Sequence, residues 1–159
     1  MNEIVKATGS ASAGYQYQTL YGIKILVDWL ENPGLYARVQ FDCDDRSVAP
    51  LSLDDVVAER MDGKFTFWQV KYTPPDDNRK QPLLVDWEWL LDEGPPSKSK
   101  IPYLKKWKES FNKYGREKRE RFFLVTNRLP SREFLNNLSA AILTTIKSLF
   151  YINKKSTPF

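Results

Sequence analysis

The chain contains no histidine, one cysteine and two methionines in 159 residues. Without histidine the commonest zinc ligand and the commonest general base are missing, so zinc chemistry and His-based triads drop out. The single Cys43 excludes a disulfide framework within one chain. No run approaches the roughly 18 apolar residues of a membrane span, and no charged segment leads into an apolar core at the N-terminus. These absences are what a soluble, cytoplasmic protein with no membrane partner would show. No internal repeat is visible.

What the chain does have is a core. Hydrophobic residues make up 42% and aromatics 14% of it, enough for one domain and no reason for a second. A formal net charge of +4 favours an anionic partner modestly, because attraction to phosphates grows with clustered positive charge.

The pattern along the chain alternates. Residues 1–13 are small and polar and read as a flexible lead-in. From Tyr15 to Glu31, Tyr17, Leu20, Ile23, Val27 and Leu30 recur at three- and four-residue steps, predicting a helix with that face in the core, stopped by Asn32-Pro33-Gly34. Tyr36 to Cys43 reads as a strand, and Asp42-Cys43-Asp44-Asp45-Arg46 as the loop that leaves it. Thr73 to Pro82 is a polar loop, and Leu83 to Leu91 a helical segment carrying Trp87 and Trp89. Lys100 to Tyr114 is an amphipathic helix with Ile101, Leu104, Trp107 and Phe111 on one side and Lys105, Lys106, Lys108 and Lys113 on others. Arg121 to Asn127 is a short apolar run suited to a buried strand, reached by a crossover. Ser131 is an N-cap candidate for a last helix bearing Phe134, Leu135, Leu138, Ile142, Ile146 and Leu149. Residues 14–152 are then one domain, followed by a tail at 153–159, and the fold class is α/β with a mixed central sheet flanked by helices.

The chemistry concentrates in Leu53-Asp54-Asp55-Val56-Val57-Ala58-Glu59 and Lys64-Phe65-Thr66-Phe67-Trp68-Gln69-Val70-Lys71-Tyr72. Both runs are rich in β-branched and aromatic residues, and Asp62-Gly63 between them is a strong hairpin signal. With period two, Phe65, Phe67, Gln69 and Lys71 share one face of the second strand and Thr66, Trp68, Val70 and Tyr72 the other. Both faces are largely apolar, so this is a central strand with Gln69 and Lys71 at its end. The hairpin brings the acidic pair beside the Gln-x-Lys, the minimum apparatus for metal-assisted phosphodiester cleavage. Hydrolysis adds charge that a divalent cation can neutralise, and Mg²⁺ (or Mn²⁺) prefers carboxylate, carbonyl and water oxygens. Asp55 and Asp54 are both candidate ligands. The neutral Gln69 amide oxygen leaves the site short of one carboxylate unless the second Asp helps, and Lys71 can orient a water or neutralise phosphate.

The element order and the Asp55 to Gln69-x-Lys71 spacing resemble the PD-(D/E)xK nuclease superfamily, in the Mrr-like variant with Gln in place of Glu. Gly14-Tyr15-Gln16-Tyr17-Gln18, Trp68-Gln69-Val70-Lys71-Tyr72 and Leu124-Val125-Thr126-Asn127-Arg128 further resemble the Cap4-type, DUF4297-like effector nuclease domain of bacterial antiphage systems, over roughly residues 9–140. The resemblance implies a restriction-endonuclease-like core, a Mg²⁺-dependent endonuclease acting on double-stranded DNA, Asp55 as the first choice of metal ligand with Asp54 the alternative, a metal also touched by the Val70 carbonyl, and a further polar group from Gln18. It also implies an activating sensor domain or partner outside this chain and a homo-oligomer when active.

Each feature has a plainer reading. Asp54-Asp55 can cap a loop, Gln69 and Lys71 can be an exposed strand end, and Gln18 a solvated helix position. Tyr15, Tyr17, Trp68 and Trp107 are expected in the core rather than as base-stacking platforms. The basic series, Lys105, Lys106 and Lys108 above all, can hold a polyanion or merely face water. Asn127 and Arg128 can contact a DNA backbone or form a strand-end turn. The competing function is a non-catalytic nucleic-acid-binding or adaptor module of the same fold.

Overall fold

Asp62 and Gly63 set the register of the sheet. Gly63 takes a left-handed φ of +75° and donates to the Arg60 carbonyl, while the Asp62 carboxylate accepts from the Lys64 amide. The turn joins β2 (Val56–Arg60) to β3 (Phe65–Lys71) as an antiparallel pair with Val56 opposite Trp68. In the computed structural model, residues 2–50, 52–74, 81–98, 100–118 and 121–141 are described. Over them the chain is mixed α/β, with a four-stranded sheet flanked by helices.

The sheet order is β1-β2-β3-β5, where β1 is Tyr36–Phe41 and β5 is Arg121–Thr126. β1 and β2 pair antiparallel, whereas β3 and β5 pair parallel, Lys71 lying opposite Thr126. A parallel pair requires a crossover, which the helices after β3 supply. The central position expected for β3 is therefore observed.

The two faces of β3 bury different layers. Phe67 stacks on Phe122 and shares a cluster with Leu90, Trp107 and Phe134 from α2 (Trp87–Leu91), α3 (Tyr103–Lys118) and α4 (Arg132–Ala141). Trp68 stacks on Phe123 and packs with Val56, Val70, Val125 and Ile25, the last from α1 (Asn2–Glu31). Trp68 and Trp107 are buried as expected. Ser131 caps α4, its hydroxyl accepting from the Phe134 amide. The segment Leu83–Leu91, expected to be helical, opens instead with a two-residue strand, β4 (Leu84–Val85), paired in parallel with β6 (Leu129–Pro130), and is helix only from Trp87.

Three further expectations are corrected. The stretch read as a lead-in is helical from Asn2 onward, so Gly9 and Gly14 sit inside α1; each costs about 1 kcal/mol against Ala, which a long helix tolerates. Of the α1 stripe read as core, Tyr17 packs on the sheet but the rest is turned outward: Leu20 is 66% and Leu30 79% exposed, Ile23 and Val27 are exposed too, and so is Tyr15, also expected in the core. The side that packs on the sheet carries Tyr17, Tyr21, Gly22 and Ile25. A Cβ on Gly22 would fall 2.0 Å from the Phe41 ring, so close approach to β1 selects this face. The first strand stops at Phe41, although the Asp42 and Cys43 amides still donate to the carbonyls of Asp55 and Asp54. The expected continuation of α4 through Ile142, Ile146 and Leu149 and the tail at 153–159 lie outside the described residues.

Candidate active site

The hairpin register carries Asp55, one residue before β2, to the end of β3 where Gln69 and Lys71 lie. The Asp55 carboxylate is engaged from three sides. Its Oδ2 accepts from the Val70 backbone amide at 2.6 Å and from the Gln69 side-chain amide, and the Lys71 ammonium lies 3.8 Å away. Burial pushes the Asp55 carboxyl above its ordinary range. Lys71 and the Val70 amide pull the other way, and the charges of Asp54 and Asp42 add to the rise.

Gln69 is 1% exposed, and its Oε1 has no hydrogen-bond partner. A buried polar atom without a partner costs about 1–3 kcal/mol, so its retention needs a reason. Lys71 is half-buried, its ammonium 5.9 Å from the centre of the Tyr103 ring at the start of α3. Lys105, Lys106 and Lys108 follow Tyr103 on that helix, with Lys105 and Lys108 exposed. Arg121 lies at the opposite end of the sheet, since it faces Thr66 rather than Lys71.

An open cleft of about 560 Å³ lies over this end of the sheet, lined by Gln18, Asp42, Arg46, Asp54, Asp55 and Lys71 among others. Gln18 reaches in from α1. Its amide donates to Asp42 Oδ1 at 2.5 Å and to the Asp55 carbonyl at 3.4 Å. Asp54 is held differently from Asp55: its Oδ2 accepts from Arg46 at 2.7 Å. Asn127 and Arg128 grip the chain leaving β3. Asn127 exchanges two hydrogen bonds with the Thr73 backbone, at 2.9 and 2.7 Å, while Arg128 donates to the Thr73 hydroxyl and the Leu84 carbonyl and stacks over Trp89.

Asp55, Gln69, Val70, Lys71, Asp54 and Gln18 thus meet at one end of the sheet. Asp42 and Arg46 are among the cleft residues that the sequence does not single out. Asp42 was hidden in an acidic run read as one loop. Its signal lies in its position just past the apolar strand 36–41, where the β1–β2 pairing carries it toward Asp55.

Among the described residues no group of three or more His, Cys, Asp or Glu side chains is arranged to hold a metal. A hard cation has no need of one, because amide and backbone oxygens and water complete its shell. Among the described residues no helix is long and apolar enough to cross a membrane. No family model, curated protein or solved structure matches the chain significantly.

Proposed function

We propose that this chain is a metal-dependent endonuclease domain with a PD-(D/E)xK restriction-endonuclease-like core in its Gln-x-Lys form. It cuts double-stranded DNA as an effector of antiviral defence, with activation supplied by a sensor domain or partner and by self-association. The substrate, the defence role and the activation follow the family resemblance. The chemistry has its own support in the convergence of the Asp55 carboxylate, the Gln69 amide and the Lys71 ammonium at one cleft. That convergence is the observation that carries the reading.

The unpartnered Gln69 Oε1 fits a cation site. A half-turn of the amide would exchange its oxygen and nitrogen, setting Oε1 beside Asp55 Oδ2, and two such oxygens repel unless a cation lies between them. Asp55, Gln69 and the Val70 carbonyl would hold Mg²⁺ or Mn²⁺. The ion would supply charge neutralisation at the scissile phosphate and a more acidic bound water. Lys71 orients the attacking water or stabilises the phosphate oxygens. The Val70 amide fixes the Asp55 carboxylate before any ligand arrives, so no reorganisation is needed at that group. Lys105, Lys106 and Lys108 give the duplex phosphates a cationic bank on the helix that begins beside Lys71.

Supercoiled plasmid incubated with Mg²⁺, with Mn²⁺ or with EDTA tests the reading. The wild type is expected to nick and linearise in either metal and to be silent in EDTA. Lys71→Ala should cut at least about 100-fold more slowly, the scale of losing one electrostatic group at a reacting centre. A wild type that cuts nothing in either metal, or a Lys71→Ala variant as fast as wild type, sinks the enzyme reading and leaves the binding or adaptor module.

A further inference from the structure

Gln69 is neutral where a second carboxylate would serve a divalent cation better, and Asp54, the nearest candidate by sequence, is bonded to Arg46 at 2.7 Å. Asp42 is held instead by a neutral group: its Oδ1 accepts from the Gln18 amide at 2.5 Å. Its backbone amide donates to the Asp55 carbonyl at 3.1 Å, which fixes the two acids on adjoining segments that line the same cleft. Asp42 also holds a left-handed φ of +46°, a conformation that Asp tolerates but that still carries a local cost, and such outliers cluster at binding sites. A second observation points to a ligand: Gln69 is 1% exposed, its amide lies against Asp55 Oδ2 and its Oε1 is unpartnered.

We infer that Asp42 supplies the second carboxylate of the cation site in the cleft it shares with Asp55, with the Gln18 amide as the positioning group that holds it there. The inference rests on the metal-dependent reading above and assigns a residue that reading does not contain. It replaces Asp54 as the group that offsets the missing charge at Gln69. Gln18 is then a positioning residue for Asp42.

Titration of the protein with Mn²⁺, following the free-ion signal by electron paramagnetic resonance, measures binding without requiring turnover. Wild type, Asp55→Asn, Asp54→Asn, Asp42→Asn and Asp42→Gly are compared, with circular dichroism to check the fold. Glycine accepts the left-handed backbone freely, so Asp42→Gly removes the carboxylate without straining the chain, should the Asn variant fold poorly. The expected result is Mn²⁺ binding by wild type, its loss in Asp55→Asn, and a fall of at least about ten-fold in both Asp42 variants, exceeding that in Asp54→Asn. Asp42 variants that bind like wild type, or a larger fall in Asp54→Asn, overturn the inference while the metal-site reading stands. Failure of the wild type to bind Mn²⁺ overturns that reading and the inference with it.

Discussion

The two ends of β3 solve opposite problems. At the hairpin end, Arg60 reaches the Phe65 carbonyl and the Thr66 hydroxyl, Asp62 accepts from Lys64 and Arg60, and the polar groups are matched close to where they arise in the chain. Phe67, one residue on, is fully buried between aromatic neighbours. At the cleft end, two residues further, a buried amide keeps an unpartnered oxygen and a buried carboxyl is pushed above its ordinary range. One strand therefore carries both the best-packed part of the sheet and its least satisfied part. The difference teaches that the polar cluster is not there for stability, since the hairpin end of the same strand matches its polar groups to local partners.

The sharpest way to separate the two ends is to damage each. Phe67→Ala should cost about 3–5 kcal/mol, the range for emptying an aromatic site in a packed core, read as a fall in the urea midpoint. Gln69→Glu should cost less, on the order of 2 kcal/mol at neutral pH, by placing a second buried carboxylate against Asp55. Its deficit should shrink as the pH falls and the pair takes up a proton, and added Mn²⁺ should restore more stability to this variant than to wild type. A Gln69→Glu variant as stable as wild type without metal would mean that the cleft end tolerates charge as freely as a surface does.

The smallest effect has the opposite sign. Asp55→Asn should raise the melting temperature by a few degrees at neutral pH, because Asn resembles the protonated carboxyl that burial favours. The sign follows from the raised value in the folded state. The stability contributed by protonated Asp55 is fully present below the usual carboxylate pKa and is lost as the pH rises through the raised one, so the advantage of Asn should grow over that window and then level off. Thermal melts of both proteins between acid and neutral pH check this. An advantage that is absent or shrinks with rising pH would place Asp55 among the satisfied groups of the hairpin end.

How much of this was legible in the sequence differs between the elements. The hairpin and the meeting of Asp55 with Gln69 and Lys71 could be read directly, because Asp62-Gly63 fixes the turn and alternation then dictates which residues face one another. The central place of β3 followed from its two apolar faces. The packing face of α1 could not be read, because Leu20, Ile23, Val27 and Leu30 make the stronger periodic stripe, yet the close fit of Gly22 against Phe41 decides the orientation. Hydrophobic periodicity counts side chains; it does not weigh the absence of one. Asp42 was missed for a related reason. Its role depends on backbone bonds from Asp42 and Cys43 that outlast the strand, and these leave no mark on residue type.

Gly22 and Gln18 are four residues apart on one side of α1, about 6 Å along its axis. The glycine therefore behaves as a detent in a mechanism: it lets the helix seat in one rotational setting, and Gln18 is carried to Asp42 by that seating. A slip of one residue would swing Gln18 by about 100° and take it off the cleft altogether. The alignment of the polar groups is thus indexed by a contact between a helix backbone and a phenyl ring that have no chemistry of their own.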